Sequence, residues 1–244
     1  MRLDIVLVEK GLAVSRQKAK EYILSGKVSV NQKVIEKPSF DYEMGEILVN
    51  MEYQYVGRGA YKLLHAFKIW NIDVKNKICL DIGASTGGFT EILLQNEARK
   101  IYAVDVGTNQ IAPKIAQNCR VTSIEQMDIR NLDEKELQEK INFFCIDISF
   151  ISLVTVIPYL QKFLMEYGEF VTLIKPQFEL GKGAVSKTGI VKSQRDREKA
   201  IEKVRLSFQN EGYHIIGVTP SPIQGKDGNI EYLIHGTWEK RKGA

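Results

Sequence analysis

The sequence predicts an α/β fold: a doubly wound, mostly parallel, seven-stranded Rossmann-like sheet behind a small N-terminal α+β module. Three observations lead there. From about Tyr61 onward, strand-like apolar runs alternate with helix-period segments. The first of those strands runs into a glycine-rich stretch, LDIGASTGGFT at 80–90. The opening sixty residues follow another pattern, short helices and then short extended pieces, which sets domains at 1–60 and 61–244.

In the first module, LDIVLVEKGL places Leu3, Val6 and Leu7 at helical spacing, with Gly11 to end the helix. Ser15 caps a second helix, RQKAKEYILSG, with Ala19, Tyr22 and Ile23 on one face and Gly26 at its end. KVSVNQKVI and EILVN read as strands, with Asn31-Gln32 as a hairpin turn. The cations Arg16, Lys18, Lys20, Lys27, Lys33 and Lys37 gather in this module. By composition alone they describe a solvated face.

In the second part, strands are expected at KICLDI, KIYAVDV, RVTSIE, FFCIDIS, EFVTLIKP, YHIIGVTPS and EYLIHGTW. TEILLQNEA and DREKAIEKVRLSFQNEG read as helices between them, and the last two strands should pair antiparallel across PIQGKDGN. Ligands of such sheets bind at the carboxyl ends of the strands.

Composition limits the alternatives. The 244 residues are 44% hydrophobic and 26% charged, with a net charge of +4 that permits a polyanionic partner. No apolar run approaches the roughly 20 residues of a membrane span. MRLDIVLVEKG has acids in its apolar stretch and no small-residue cleavage site, which argues against a signal peptide. Three cysteines, Cys79, Cys119 and Cys145, lack metal spacing, and His65, His214 and His235 show none either. The expectation is a cytoplasmic protein without a metal.

The glycine-rich stretch is the most informative segment. A nucleoside-triphosphate loop needs Gly-Lys-Ser/Thr, and here Gly87-Gly88 precede Phe89 and Thr90. A dinucleotide fingerprint needs a glycine where Ser85 stands. A ligand without phosphate remains, and S-adenosylmethionine is the common one. Asp81 would accept from its amino group, Gly83 would let backbone approach, and the amides opening the helix at Gly87-Gly88 suit a carboxylate. Asp105, ending the second strand, suits the ribose hydroxyls, and Asp128, after the third, suits the adenine amino group. Three successive strands ending in aspartate resemble the methyltransferase class that uses this cofactor.

The fourth strand end separates subclasses. Asp147-Ile148-Ser149-Phe150 is not the Asn/Asp-Pro-Pro-aromatic signature of exocyclic-amine methylation, and Cys145 lies inside a strand rather than in a loop. Instead there is charge: Asp147, Lys175 after four apolar residues and before proline, Glu231, and Lys62 ahead of the first strand. ELGKGAVSKTGIVKSQRDR adds Lys182, Lys187, Lys192, Arg195 and Arg197, either a solvated loop or a basic rim for an RNA backbone. Phe150, Phe178 and Tyr232 are aromatics able to stack a flipped base.

These motifs carry two resemblances. Residues 2–39, through Arg2-Leu3-Asp4, the Gly11 turn, Ser15-Arg16 and GKVSVNQKV, resemble the S-four RNA-binding domain. GRGAYKL, DIGASTGGFT, CIDISFISL, LIKPQFELGKG and GNIEYLIH resemble the ribose 2′-O-methyltransferases of the FtsJ type, and the combination resembles the TlyA (haemolysin A) group. The resemblance implies a Rossmann-like methyltransferase sheet and S-adenosylmethionine as methyl donor. The cofactor residues would be Asp81, Gly83, Ser85, Gly87, Gly88, Phe89, Asp105 and Asp128. It also implies a catalytic set of Lys62, Asp147, Lys175 and Glu231, with Lys175 either base or orienting cation. Arg2, Arg16, Lys18, Lys20, Lys27, Lys182 and Lys187 would meet RNA. The implied partner is ribosomal RNA or a ribosomal subunit, with a cytidine of the large subunit as target and sometimes one of the small. The compactness of the chain favours the large subunit alone. Two other classes stay in view: a non-catalytic RNA-binding assembly factor, and a membrane-lytic protein, for which no insertion segment is evident.

Overall fold

The computed structural model describes residues 1–13, 15–31, 33–49, 55–181, 185–186, 188–225 and 227–239. The chain forms two compact units, Met1–Tyr55 and Val56–Ala244. The division falls ahead of residue 60 because the stretch before Gly59 already packs on the second unit: a Cβ on Gly88 would lie 3.4 Å from the Gly57 carbonyl.

In the first unit, α1 (Leu3–Glu9) and α2 (Arg16–Leu24) precede a small antiparallel sheet of β1 (Val28–Val30), β2 (Lys33–Val34) and β3 (Ile47–Val49), in the order β2-β1-β3. Both helices end as their sequences predict. Gly11 and Gly26 adopt left-handed φ of 68° and 69°, and the Lys27 and Gly26 amides return to the Tyr22 and Ile23 carbonyls at 2.9 and 3.0 Å. The Ser15 hydroxyl accepts from the Lys18 amide. Leu3, Leu7, Ala19, Ile23, Val28 and Val30 form the core. Asn31 turns the hairpin with φ 49°, while Gln32 lies outside the described residues.

The second unit opens with α3 (Gly59–Trp70) and continues β4 (Ile78–Ile82), α4 (Gly88–Gln95), β5 (Lys100–Val104), α5 (Pro113–Ala116), β6 (Val121–Ile124), β7 (Ile141–Ile146), β8 (Leu164–Ile174), α6 (Pro176–Glu179), α7 (Gln194–Asn210), β9 (His214–Pro220) and β10 (Tyr232–Glu239). The seven strands run in the order β6-β5-β4-β7-β8-β10-β9. β10 is antiparallel to both neighbours, and β4, β5, β6, β7 and β8 pair in parallel. Chain order reverses direction between β4 and β7, which opens a crevice beyond their carboxyl ends. Between β7 and β8 the crossover is made by 3-10 turns at Leu153–Thr155, Ile157–Tyr159 and Gln161–Phe163. Pro158, which lacks an N–H, interrupts any longer helix there. One sheet face is anchored by a ladder of aromatics, Phe144 on Phe170 at 5.0 Å and Phe170 on Phe208 at 4.4 Å between ring centres. Among the described residues no helix is long and apolar enough to cross a membrane.

Candidate active site

Two cavities open at the carboxyl ends of the strands, both within the second unit. The one over β4, β5 and β6, about 330 Å³, has apolar walls of Ile82, Val104, Met127, Ile129 and Ile148, with Asp105 and Asp128 at its margin. The other, about 470 Å³, lies over β7, β8 and the approach to β10, lined by Arg58, Lys62, Phe89, Lys175, Phe178 and Glu231 among others. They share Gly83, Ser85, Asp147, Ser149 and Phe150, so one opens into the other beside Asp147.

Gly83 has φ 81°, and a Cβ there would sit 2.4 Å from the Asp147 carbonyl. Glycine thus lets β4 and β7 end against each other, a close approach of protein backbone that the sequence attributed to a ligand. Gly87 caps α4 with φ 90°, and Gly88 is its first residue. Asp105 accepts from the Ser85 amide at 2.8 Å and the Gly107 amide at 2.7 Å. A carboxylate has room for further donors, so Asp105 both shapes the loop and faces the cavity. Glu125, which the sequence did not single out, accepts from the amides of Asn109, Gln110 and Ile111 and so holds the loop bearing Gln110, another lining residue.

Two of the expected cofactor residues have protein partners of their own. Asp81 lines neither cavity. Its pleat position turns the fully buried carboxyl toward α4, where Thr90 Oγ1 donates to it at 2.6 Å. Burial without a cation pushes this carboxyl up to about 7. Asp128 does reach the cavity, but Arg130 binds both its oxygens, Nη2 at 2.6 Å, and that guanidinium holds its pKa below the usual carboxylate value.

The four charged candidates do come together. Lys175 Nζ lies 2.6 Å from Asp147 Oδ1 and donates to Ser149 Oγ at 2.8 Å. Lys62 Nζ, on α3, donates to Glu231 Oε2 at 2.6 Å and is 3.9 Å from Asp147 Oδ2. Lys62, Lys175 and Glu231 are buried. Asp147 therefore stands between two ammonium groups at the junction of the cavities. Arg58, overlooked by the sequence reading although it lies in GRGAYKL, lines the same cavity and donates to the Gln224 carbonyl at 3.2 Å.

Among the aromatics, Phe150 is 91% exposed, has a left-handed φ of 67°, and lies 5.2 Å from Phe178 between ring centres. Tyr232 lines neither cavity; its hydroxyl accepts from Arg197 Nε, and Arg197 also donates to the Val191 and Lys192 carbonyls, so this arginine anchors its own loop rather than a basic rim. Lys182 and Lys187 lie outside the described residues.

In the first unit, the buried Asp4 accepts from Arg2 Nε at 3.0 Å and Arg16 Nε at 3.2 Å, while both arginines stay about half exposed. The Arg2 hydrogen bonds, and that of Arg16, hold the Asp4 carboxyl below its ordinary pKa. Lys18 is paired with Glu21 and Lys20 is exposed. Lys27 lies over the Tyr22 ring at 5.5 Å.

Known proteins resemble this chain over nearly its whole length. The chain is 43% identical over 237 residues to Hemolysin A of Brachyspira hyodysenteriae, covering 96% of this chain and 99% of that protein. It is 39% identical over 236 residues to the 16S/23S rRNA (cytidine-2′-O)-methyltransferase TlyA of Mycobacterium tuberculosis, covering 96% and 88%. The solved structure of a protein named "Putative hemolysin from Streptococcus thermophilus" superposes with a TM-score of 0.77 at 37% identity, covering 100% of this chain and 91% of that one. Residues 1–48 match the S4 domain. Residues 55–238 match the FtsJ-like methyltransferase, and the chain belongs to that family.

Proposed function

We propose that this protein transfers a methyl group from S-adenosylmethionine to the ribose 2′-hydroxyl of a cytidine in ribosomal RNA, that of the 23S RNA, and does so in the cytoplasm. The observation that carries this reading is the junction of the two cavities at Asp147, with the Lys175 ammonium 2.6 Å away. The named activity of the Mycobacterium tuberculosis relative supports the same reaction.

The cavity over β4, β5 and β6 fits the methyl donor. Its apolar walls suit an adenine, and Asp105 keeps acceptor capacity for ribose hydroxyls at the strand end. Gly83, Ser85, Gly87, Gly88 and Phe89 shape the turn beside it, and Asp81 supports that turn from behind through Thr90. When bound, S-adenosylmethionine supplies a sulfonium methyl for in-line displacement.

Residues of the chain deal with the harder partner, a weakly acidic hydroxyl. Lys175, steadied by Asp147 and Ser149, aims a donor at the 2′-oxygen and stabilises negative charge as it develops. With Lys175 charged, the hydroxyl proton passes to the neighbouring Asp147 carboxylate. Lys62, fixed by Glu231, holds the second oxygen side of Asp147 and adds positive charge. Placement of the sugar oxygen against the donor carbon supplies much of the rate. Phe150 and Phe178 offer stacking surface for the base. The S4 unit binds structured RNA through Arg2, Arg16, Lys18, Lys20 and Lys27, and Lys182 and Lys187, which follow Lys175 in sequence, add cations for the RNA backbone.

The test is transfer of labelled methyl from S-adenosylmethionine to isolated large and small subunits lacking the modification. Incorporation into the large subunit is expected. Tight RNA binding with no incorporation would replace this reading with that of an assembly factor, and incorporation into the small subunit alone would move the target.

A further inference from the structure

Glu179 has no part in the chemistry above, yet its carboxylate is among the most buried charges of the second unit, 3% exposed. Two donors hold it: Ser152 Oγ at 2.5 Å and the Leu153 amide at 2.8 Å. Among the described residues no cation pairs with the carboxylate; Lys203 donates instead to the Glu179 carbonyl at 2.7 Å. Burial raises its pKa, so the site holds the carboxylate at a cost.

The two donors belong to the segment that carries Phe150. At the other end of that segment, Ser149 accepts from Lys175. Lys175 and Glu179 flank and end the single turn of α6, so one short element grips residues 149–153 at two points. Phe150 lies between the grips, with φ 67° and its ring almost wholly exposed. A left-handed phenylalanine is strained. Without both grips, the backbone relaxes and the ring leaves the junction of the cavities.

We infer that Glu179 is a positioning residue for the RNA acceptor: by bonding Ser152 and Leu153 it fixes Phe150 as the surface on which the target base rests. This rests on the proposed role of Phe150 and adds to it the group that sets its geometry. The gripped segment also lines the donor cavity through Ser149, Phe150 and Ile151, so turnover is measured with S-adenosylmethionine saturating to isolate the acceptor side.

Four full-length variants test it: Glu179→Leu, Glu179→Gln, Phe150→Ala, and Glu179→Leu combined with Phe150→Ala. The readouts are kcat/KM for methylation of large subunits and deuterium exchange in the 149–155 peptide. Glu179→Leu and Phe150→Ala should each lower kcat/KM about tenfold, the size of one lost stacking contact. The double variant should be no worse, because both act through one ring. Glu179→Gln, which keeps an acceptor for Leu153, should recover most activity, and exchange should quicken in Glu179→Leu. Multiplying losses or unchanged exchange would each overturn the inference. An inactive wild type would instead overturn the proposed function, leaving exchange at 149–155 to decide for or against the Glu179 grip.

Discussion

The two units bury charge to opposite ends. In the S4 unit a fully buried acid, Asp4, holds two arginines that remain about half exposed, so the anchor is inside and the charge is displayed. In the methyltransferase unit the cations themselves are buried: Lys62 and Lys175 are 9% and 11% exposed at the side chain, held by Glu231 and Asp147. The first arrangement suits a polyanion that must be met at the surface. The second suits one oxygen atom that must be met in a desolvated crevice. Asp81 supplies a third case, a buried acid with no cation partner among the described residues, and its pKa moves up where that of Asp4 moves down.

Removing the buried cation should have the largest effect. Lys175→Ala is expected to slow methyl transfer by about 10³-fold or more in single-turnover assays while RNA affinity changes by less than about threefold. A comparable loss of RNA affinity would mean that Lys175 belongs with the displayed charges.

The unpaired acid comes next. A carboxyl at about 7 in the fold and 3.8 by its ordinary value binds more protons folded than unfolded across that interval. Its contribution to stability is therefore greatest at low pH and is lost as pH rises from about 4 to about 7, on the order of 4 kcal/mol at most. Asp81→Asn should remove that slope in denaturant titrations at pH 5 and pH 8. Parallel curves for the two proteins would place Asp81 with the paired acids.

Asp4→Asn releases both arginines from their anchor and should weaken RNA binding about tenfold at fixed salt, with donor affinity unchanged. Because the Asp4 pKa is lowered, the stability it confers is present above its ordinary value and is lost as pH falls through the lowered one, the reverse of Asp81. The smallest effect belongs to a single displayed charge. Lys20→Ala should reduce the slope of log affinity against log salt by about one, with little change in turnover. An unchanged slope would remove Lys20 from the RNA surface.

Much of this organisation is legible in the sequence, where local pattern and tertiary need coincide. The strands ending at Ile82, Val104, Ile146 and Ile174 are apolar runs, and the charges beyond them meet because parallel strands bring their carboxyl ends to one edge. Direction within the pleat is harder to read. Asp81 lies at a strand end like Asp105, but only the packing of α4 shows that it faces Thr90 rather than the crevice. Asp128 has a competitor two residues away in Arg130, which strand patterning does not register. Glu179 lies within LIKPQFELGKG, but its role is not legible there, since its partners Ser152 and Leu153 come from a distant loop whose course no periodicity describes.

The most direct measurement locates the methyl group. Large-subunit RNA labelled by the wild-type protein is digested to nucleosides, alongside RNA treated with Lys175→Ala. Label is expected in 2′-O-methylcytidine alone and is expected to vanish with the lysine. Label on a base, or label undiminished in Lys175→Ala, would contradict a site in which buried lysines serve a single sugar oxygen.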